Sequence, residues 1–204
     1  MGKMENRVIT RCAWASLEKE PLMAVYHDTE WGVPEHDDAK LLAKLILDGA
    51  QAGLSWITIL KKREGYLKAF HNFDAEKMAR YGKRDIERLM NDAGIVRNKL
   101  KIESAISNAK SYLALRERGE SFDEFLWQFV DGKTIVNKWK LGKHVPASTK
   151  ESEAMSKALK KEGFRFVGPT IIYAFMQAVG MVNDHTIDCF RYEECLKQTK
   201  KRSK

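Results

Sequence analysis

Apolar and polar positions alternate along this chain with a helical period almost throughout. In DDAKLLAKLIL, from Asp37 to Leu47, apolar residues fall at Leu41, Leu42, Leu45 and Ile46, the spacing of a helix that buries one stripe. SWITILKKREGYLKAF then places Trp56, Ile57, Leu60, Tyr66, Leu67 and Phe70 inward, with Lys61, Lys62 and Arg63 on the opposite arc. DAEKMARYG and KRDIERLMNDAG read as two short helices, the first opened by Asp74 as N-cap and the second closed by Gly94. KLKIESAISNAKSYLALRERG carries the period through Ile102, Ala105, Ile106, Ala109 and Leu113, and SFDEFLWQFVDG adds an aromatic-rich turn or helix. No period-two alternation lasts more than a few residues, so strands are not expected and the fold class is all-α.

The second half is punctuated differently. From Asp131 to Val145, DGKTIVNKWKLGKHV has turn residues and no clean period, which reads as a surface loop and the best boundary inside the domain. Ser148 with Glu151 has the capping-box pattern and opens a helix that ends at Gly163. After the link FRFVG, Pro169 stands at the first position of a helix ending at Gly180. Residues 151–180 therefore read as a helix-hairpin-helix unit. The unpaired N–H groups of its second helix would let Gly168 hold a DNA phosphate while Lys160, Lys161 and Arg165 supply charge. An ordinary helix pair fits the pattern equally well. The end, KQTKKRSK, is basic and apolar-free and reads as disordered. The expected organisation is a flexible stretch 1–9, one helical domain 10–192 and a basic tail 193–204.

Composition narrows the function. A net charge of +8 with pI near 9.3 is a moderate signal for a polyanionic partner. No run of about 18 apolar residues and no secretory h-region is present, so a soluble, cytoplasmic monomer with no membrane partner is expected. Three cysteines argue against a disulfide framework. In HTIDC, His185 and Cys189 lie four apart, a spacing that on a helix would put both on one face, and Cys12 and His27 form a second Cys/His pair. A lone H-x-x-x-C fits an ordinary buried histidine. Two cysteines and two histidines together suffice for a closed tetrahedral zinc site, structural in kind, joining the two ends of the chain. Cys195 reads as a spare thiol. Trp14, Tyr26, Trp31 and Trp56 concentrate in the first 56 positions, more than a helical core requires.

The blocks RCAWAS, YHDTEWGVP, DGAQAGLSWITILKKRE, GIVRNKLKI, KKEGFRFVGPTIIYAFMQAVG and NDHTIDC, in this order and at these separations, closely resemble the 3-methyladenine DNA glycosylase I family. The likeness runs from Thr10 to Cys189. It implies a helix-hairpin-helix glycosylase fold, with one structural zinc ion on Cys12, His27, His185 and Cys189. It also implies monofunctional hydrolysis of the N-glycosidic bond of 3-methyladenine in double-stranded DNA, as in base excision repair. By the same resemblance Tyr26 and Trp56 stack on or hydrogen-bond the flipped base, and Trp14 and Trp31 form the pocket wall. The family's base-reading glutamate falls on Asp48, one methylene shorter. As a catalytic carboxylate Asp48 could still accept hydrogen bonds from the exocyclic amine; alternatively, before Gly49, it is a helix-end turn residue. Leu54 is either the wedge that fills the emptied stack or a core leucine, and Gln51 contacts either the orphaned base or its own loop. Asp184, near the superfamily's sugar-facing aspartate, adjoins a metal ligand and reads more readily as its support or a helix cap. Thr170 stands where strand-cleaving relatives carry a lysine, so no lyase activity is expected. A noncatalytic reader of alkylated DNA and a zinc-stabilised scaffold are the other two classes left open.

Overall fold

The computed structural model describes residues 9–16 and 18–202, so the expected flexible segment lies outside the described residues except for Ile9. Helices dominate: α1 (Pro21–Thr29), α2 (Asp38–Gln51), α3 (Trp56–Ala69), α4 (Ala75–Ala79), α5 (Lys83–Met90), α6 (Lys99–Glu117), α7 (Phe122–Trp127), α8 (Lys150–Lys161), α9 (Pro169–Ala178) and α10 (Phe190–Arg202). The centre is α2, which packs on α3, α6, α7 and α9. Its stripe of Leu41, Leu42 and Leu45 is fully buried, and burying each leucine is worth about 1.5–3 kcal/mol. A second apolar cluster, with Cys12, Tyr26, Trp31, Leu60, Ala178 and Cys189, sits where α1 and the start of α10 meet α3.

Most helix bounds follow the apolar period, and the differences have local causes. Helix α5 ends at Met90, because the Asn91 N–H already turns back to the Glu87, Arg88 and Leu89 carbonyls. Gly94 therefore does not close it. Instead Gly94 lies against Gly65 of α3, so closely that a Cβ on Gly65 would stand 2.2 Å from the Gly94 carbonyl oxygen. The cap of α8 is Thr149, not Ser148: Thr149 Oγ1 accepts from the Ser152 N–H, and Ser152 Oγ accepts from the Thr149 N–H at 2.9 Å. Helix α1 is absent from the apolar pattern, since PLMAVYHDT carries no clean stripe, and it starts on Pro21.

Three further expectations are corrected. One small ladder exists: β1 (Ile135–Val136) pairs in parallel with β2 (Val182–Asn183), Ile135 opposite Val182. Two residues are too few to show alternation. The segment 131–145 is consequently no boundary, because the ladder and a hydrogen bond from the Ile187 N–H to the Trp139 carbonyl, 2.9 Å, tie it to the C-terminal part. The basic end is helical as far as Arg202, its first turns anchored by buried Tyr192 and Cys195.

Candidate active site and metal centre

A cavity of about 540 Å³ opens between α1, α2, the start of α3, α9 and the loop at residues 142–145. It collects six of the residues expected to face a base or DNA, namely Trp14, Tyr26, Trp31, Asp48, Gln51 and Trp56. Lys44, Gln177 and Asp184 also line it. Tyr26 and Trp56 meet with ring centroids 5.3 Å apart at 49°. Trp14, 40 % exposed, stands edge-on to Trp31 at 5.1 Å.

The carboxylate is held from within α2. Asp48 lies a turn before the helix end at Gln51, so it is a helical residue and not a terminal turn residue. Lys44, one turn earlier, donates through Nζ to Asp48 Oδ1. The same Nζ is 4.2 Å from the Trp56 ring centroid, a cation–π contact. Among the described residues, Asp48 Oδ2 and Trp56 Nε1 are buried with no hydrogen-bond partner. Leaving such groups unmade costs about 1–3 kcal/mol each, so an unpaired acceptor and an unpaired donor on two residues that line one cavity point to a polar ligand there. Burial pushes the Asp48 carboxyl up, against the pull of Lys44, and pushes the Lys44 ammonium down, against the pull of Asp48. Burial, with Asp48 and Glu30 adding to it, holds the Tyr26 phenol well above its usual range, so its proton stays in place at neutral pH.

Downstream of Asp48, the turn AGLSW is fixed from outside. Lys101 Nζ donates to the Ala50 carbonyl at 2.7 Å and the Ala52 carbonyl at 2.6 Å, satisfying orphan acceptors at the end of α2. Gly53 then takes φ +74°, and Leu54 projects 40 % exposed. Lys101 was invisible as a site residue, because in the sequence it is one more cation on a helix.

Asp184 supports neither the metal ligands nor a helix cap; its contacts correct both readings. Asn137 Nδ2 (2.7 Å) and Trp139 Nε1 (2.6 Å) donate to Oδ1, and Tyr173 Oη (2.6 Å) and Gln177 Nε2 (2.8 Å) donate to Oδ2. These four hydrogen bonds tie the 137–139 segment to α9, building one wall of the cavity. Burial and Asp184 together raise the Tyr173 phenol.

Against this wall lies the Cys/His cluster. Ligating atoms of Cys12, His27, His185 and Cys189 all fall within 4.8 Å of one another, and all four residues are buried. Cys189 Sγ is 3.4 Å from His27 Nε2 and 3.5 Å from His185 Nδ1, and Cys12 Sγ is 3.6 Å from His185 Nδ1. A tetrahedral zinc ion with ordinary bond lengths requires sulfur–nitrogen separations of about 3.5 Å, so the donor set fits such an ion. The far ring nitrogens are engaged as well. His27 Nδ1 is 2.8 Å from Asp28 Oδ1, and His185 Nε2 is 3.1 Å from the Trp31 carbonyl, which turns both lone pairs toward the cluster. Burial pushes the Asp28 carboxyl up, but hydrogen bonds from Arg11 and His27 outweigh it and hold the group below its usual range. Arg11 reaches Asp28 through Nε at 3.0 Å and Nη2 at 2.7 Å. Cys195 is buried apart from the four, its thiol pushed up to about 11 mainly by burial.

The remaining expected DNA contacts are not cavity residues. Lys161, the last residue of α8, and Arg165, on the link to α9, are exposed; Gly168 is the N-cap of α9 with open space where a side chain would start, and Thr170 is exposed in its first turn.

The profile of the methyladenine glycosylase family matches residues 14–192 of this sequence. The chain belongs to the methyladenine glycosylase family. It is 52 % identical over 182 residues to DNA-3-methyladenine glycosylase 1 of Escherichia coli K12, covering 89 % of this chain and 96 % of that protein. A crystal structure of 3-methyladenine DNA glycosylase I superposes with TM-score 0.87 at 51 % identity, over 89 % of this chain and 98 % of the other. Two further family structures, each with TM-score 0.84 at 37 % identity over 88 % of this chain and 96 % of the other, are variants. One has a tyrosine changed to phenylalanine and is bound to 3-methyladenine; the other, from Staphylococcus aureus, has a glutamate changed to glutamine. No helix among the described residues of this family member is long and apolar enough to cross a membrane.

Proposed function

We propose that this chain removes 3-methyladenine from alkylated double-stranded DNA by hydrolysing its N-glycosidic bond. The observation that carries the reading is the aromatic cavity lined by Asp48 and Trp56, whose Oδ2 and Nε1 have no partner among the described residues, in a chain whose relatives are named for that base. The positions altered in the two variant relatives lie as far apart in their numbering as Tyr26 and Asp48 do here, which supports assigning these two residues to the base.

The chemistry follows from the substrate. A base inside a duplex is unreachable, so the nucleotide turns out into the cavity, where Tyr26 and Trp56 offer ring faces and Asp48 Oδ2 accepts from the exocyclic amine. Methylation at N3 already makes the adenine cationic, and it departs neutral, so positioning and electrostatics supply most of the rate. Asp184, with all four donors in place, shapes the cavity. Leu54 fills the emptied stack and Gln51 faces the unpaired partner base. Lys161, Arg165 and the open N-terminus at Gly168 hold phosphates in the manner of a helix-hairpin-helix unit. Cys12, His27, His185 and Cys189 would hold one zinc ion, which supplies a cross-link between the two ends of the domain when bound. With Thr170 in place of a nucleophilic lysine, no strand cleavage accompanies base release, and borohydride should trap no covalent DNA adduct.

The test is base release from methylated duplex DNA, resolved by chromatography, with the protein beside its Asp48→Glu variant. Selective release of 3-methyladenine over 7-methylguanine by the unmodified protein is expected. Release by neither protein would overturn the assignment.

A further inference from the structure

One segment is cationic in a way that neither the base cavity nor the helix-hairpin-helix unit accounts for. Residues 132–150 hold Lys133, Lys138, Lys140, Lys143 and Lys150 and no carboxylate at all. Lys138, Lys140 and Lys143 are exposed, and among the described residues no acidic side chain pairs with them. The loop that carries them is nonetheless held in place. Asn137 and Trp139 donate to the buried Asp184, the β1–β2 ladder pairs the residues just before, and the Ile187 N–H donates to the Trp139 carbonyl. Further on, a single 3₁₀ turn, Gly142–His144, presents Gly142 and Lys143, which are exposed and also line the base cavity. This end of the loop therefore stands at the cavity mouth.

We propose that the loop 138–144 is a second phosphate-binding surface, which grips the DNA backbone beside the nucleotide held in the cavity through Lys138, Lys140 and Lys143. The assignment rests on the reading of the cavity as a base site. A nucleotide cannot enter without bringing its flanking phosphates to the mouth, where their charge meets ammonium groups that have no other partner. Lysine suits the task, because a backbone contact needs a compact positive charge on a flexible stem more than the fixed fork of arginine. Leu141, 51 % exposed between Lys140 and Gly142, gives the same surface an apolar residue. Because Asp184 and the ladder already fix the start of the loop, little ordering remains when the strand arrives. The grip is separate from that of Lys161, Arg165 and Gly168, which lie on another segment and do not line the cavity.

The experiment is fluorescence anisotropy across a salt series, with two duplexes of one sequence, undamaged and carrying a tetrahydrofuran abasic analogue. The full chain is compared with Lys138→Ser/Lys140→Ser/Lys143→Ser and with Lys68→Ser/Lys83→Ser/Arg84→Ser, which removes the same charge from exposed residues that do not line the cavity. Each phosphate contact contributes about 0.9 to the slope of log affinity against log salt. On the analogue duplex the loop variant should therefore lose about 2 to 3 in slope and about 10- to 100-fold in affinity near 0.1 M salt, and the control variant less than about 1 in slope. The three single variants, each expected to lose about 0.9, repeat the test with one charge removed. An unchanged slope in the loop variants overturns the proposal and leaves the lysines to another anionic partner. An equal loss in the control variant also overturns it, because net charge alone then explains the effect. So does a loss as large on the undamaged duplex, where no nucleotide is held outside the stack. Failure of the unmodified chain to bind free 3-methyladenine, followed by indole fluorescence, would instead overturn the base-site reading, and the proposal with it.

Discussion

In the proposed mechanism Asp48 is the residue that reads the base, and its burial sets what its replacement should do. Asparagine preserves the shape but loses the charge, and a hydrogen bond to a charged group is worth about 1.5–3 kcal/mol. Asp48→Asn is therefore expected to slow 3-methyladenine release by about 10- to 100-fold in single-turnover assays. An unchanged rate would remove Asp48 from the mechanism. Asp28 should act on stability instead. Because its folded carboxyl is held below the ordinary value of 3.8, its contribution is complete above that pH and disappears as pH falls through the lower folded value. In chelator-treated protein, the gap in denaturation midpoint between the unmodified chain and Asp28→Asn should stay constant from pH 7 to about pH 4 and close below it. A gap that widened in acid would contradict the sign. At this scale the sequence shows residue types and intervals, and it cannot show that Lys44 turns inward while Lys61, on the next helix, points to solvent.

Among the elements, the close approach of α3 to the turn after α5 is the most exposed to test. Gly65 packs directly on the Gly94 carbonyl, so alanine there must push backbone against backbone. Gly65→Ala should destabilise by about 1–3 kcal/mol or more through overpacking, read as a lower denaturation midpoint with the m-value unchanged. Full stability would mean that the two elements can separate freely. This contact also explains why reading Gly94 as a helix stop failed: a glycine after an apolar run signals a cap and a close packing site alike. The helical period located α2, α3, α6 and α9 because each buries a continuous stripe, and Pro169 marked the start of α9 because proline costs nothing at that position. The short α1 and the two-residue ladder left no period to read.

Over the whole molecule, the decisive feature is that the two ends of the chain converge on one set of donors. If zinc occupies them, metal analysis should find about one ion per chain. Chelation should then lower the melting temperature of the unmodified protein while leaving that of Cys12→Ser unchanged. Equal melting temperatures with and without chelator in the unmodified chain would argue that the cluster is held by packing alone.

What the sequence determined by itself was local or compositional: the helical class, the positions of the long helices, the four metal-type side chains and the aromatic concentration before residue 57. Each is a matter of residue type at a fixed interval, and the family resemblance added roles for those positions. What only the tertiary structure decided was long-range pairing. That His185 donates toward the Trp31 carbonyl, that four donors from two distant segments converge on Asp184, and that Lys101 ties down the turn bearing Leu54 all depend on chain segments meeting in space. No period or motif encodes such meetings, because a period reports only the face that one element buries and not which distant segment packs against it.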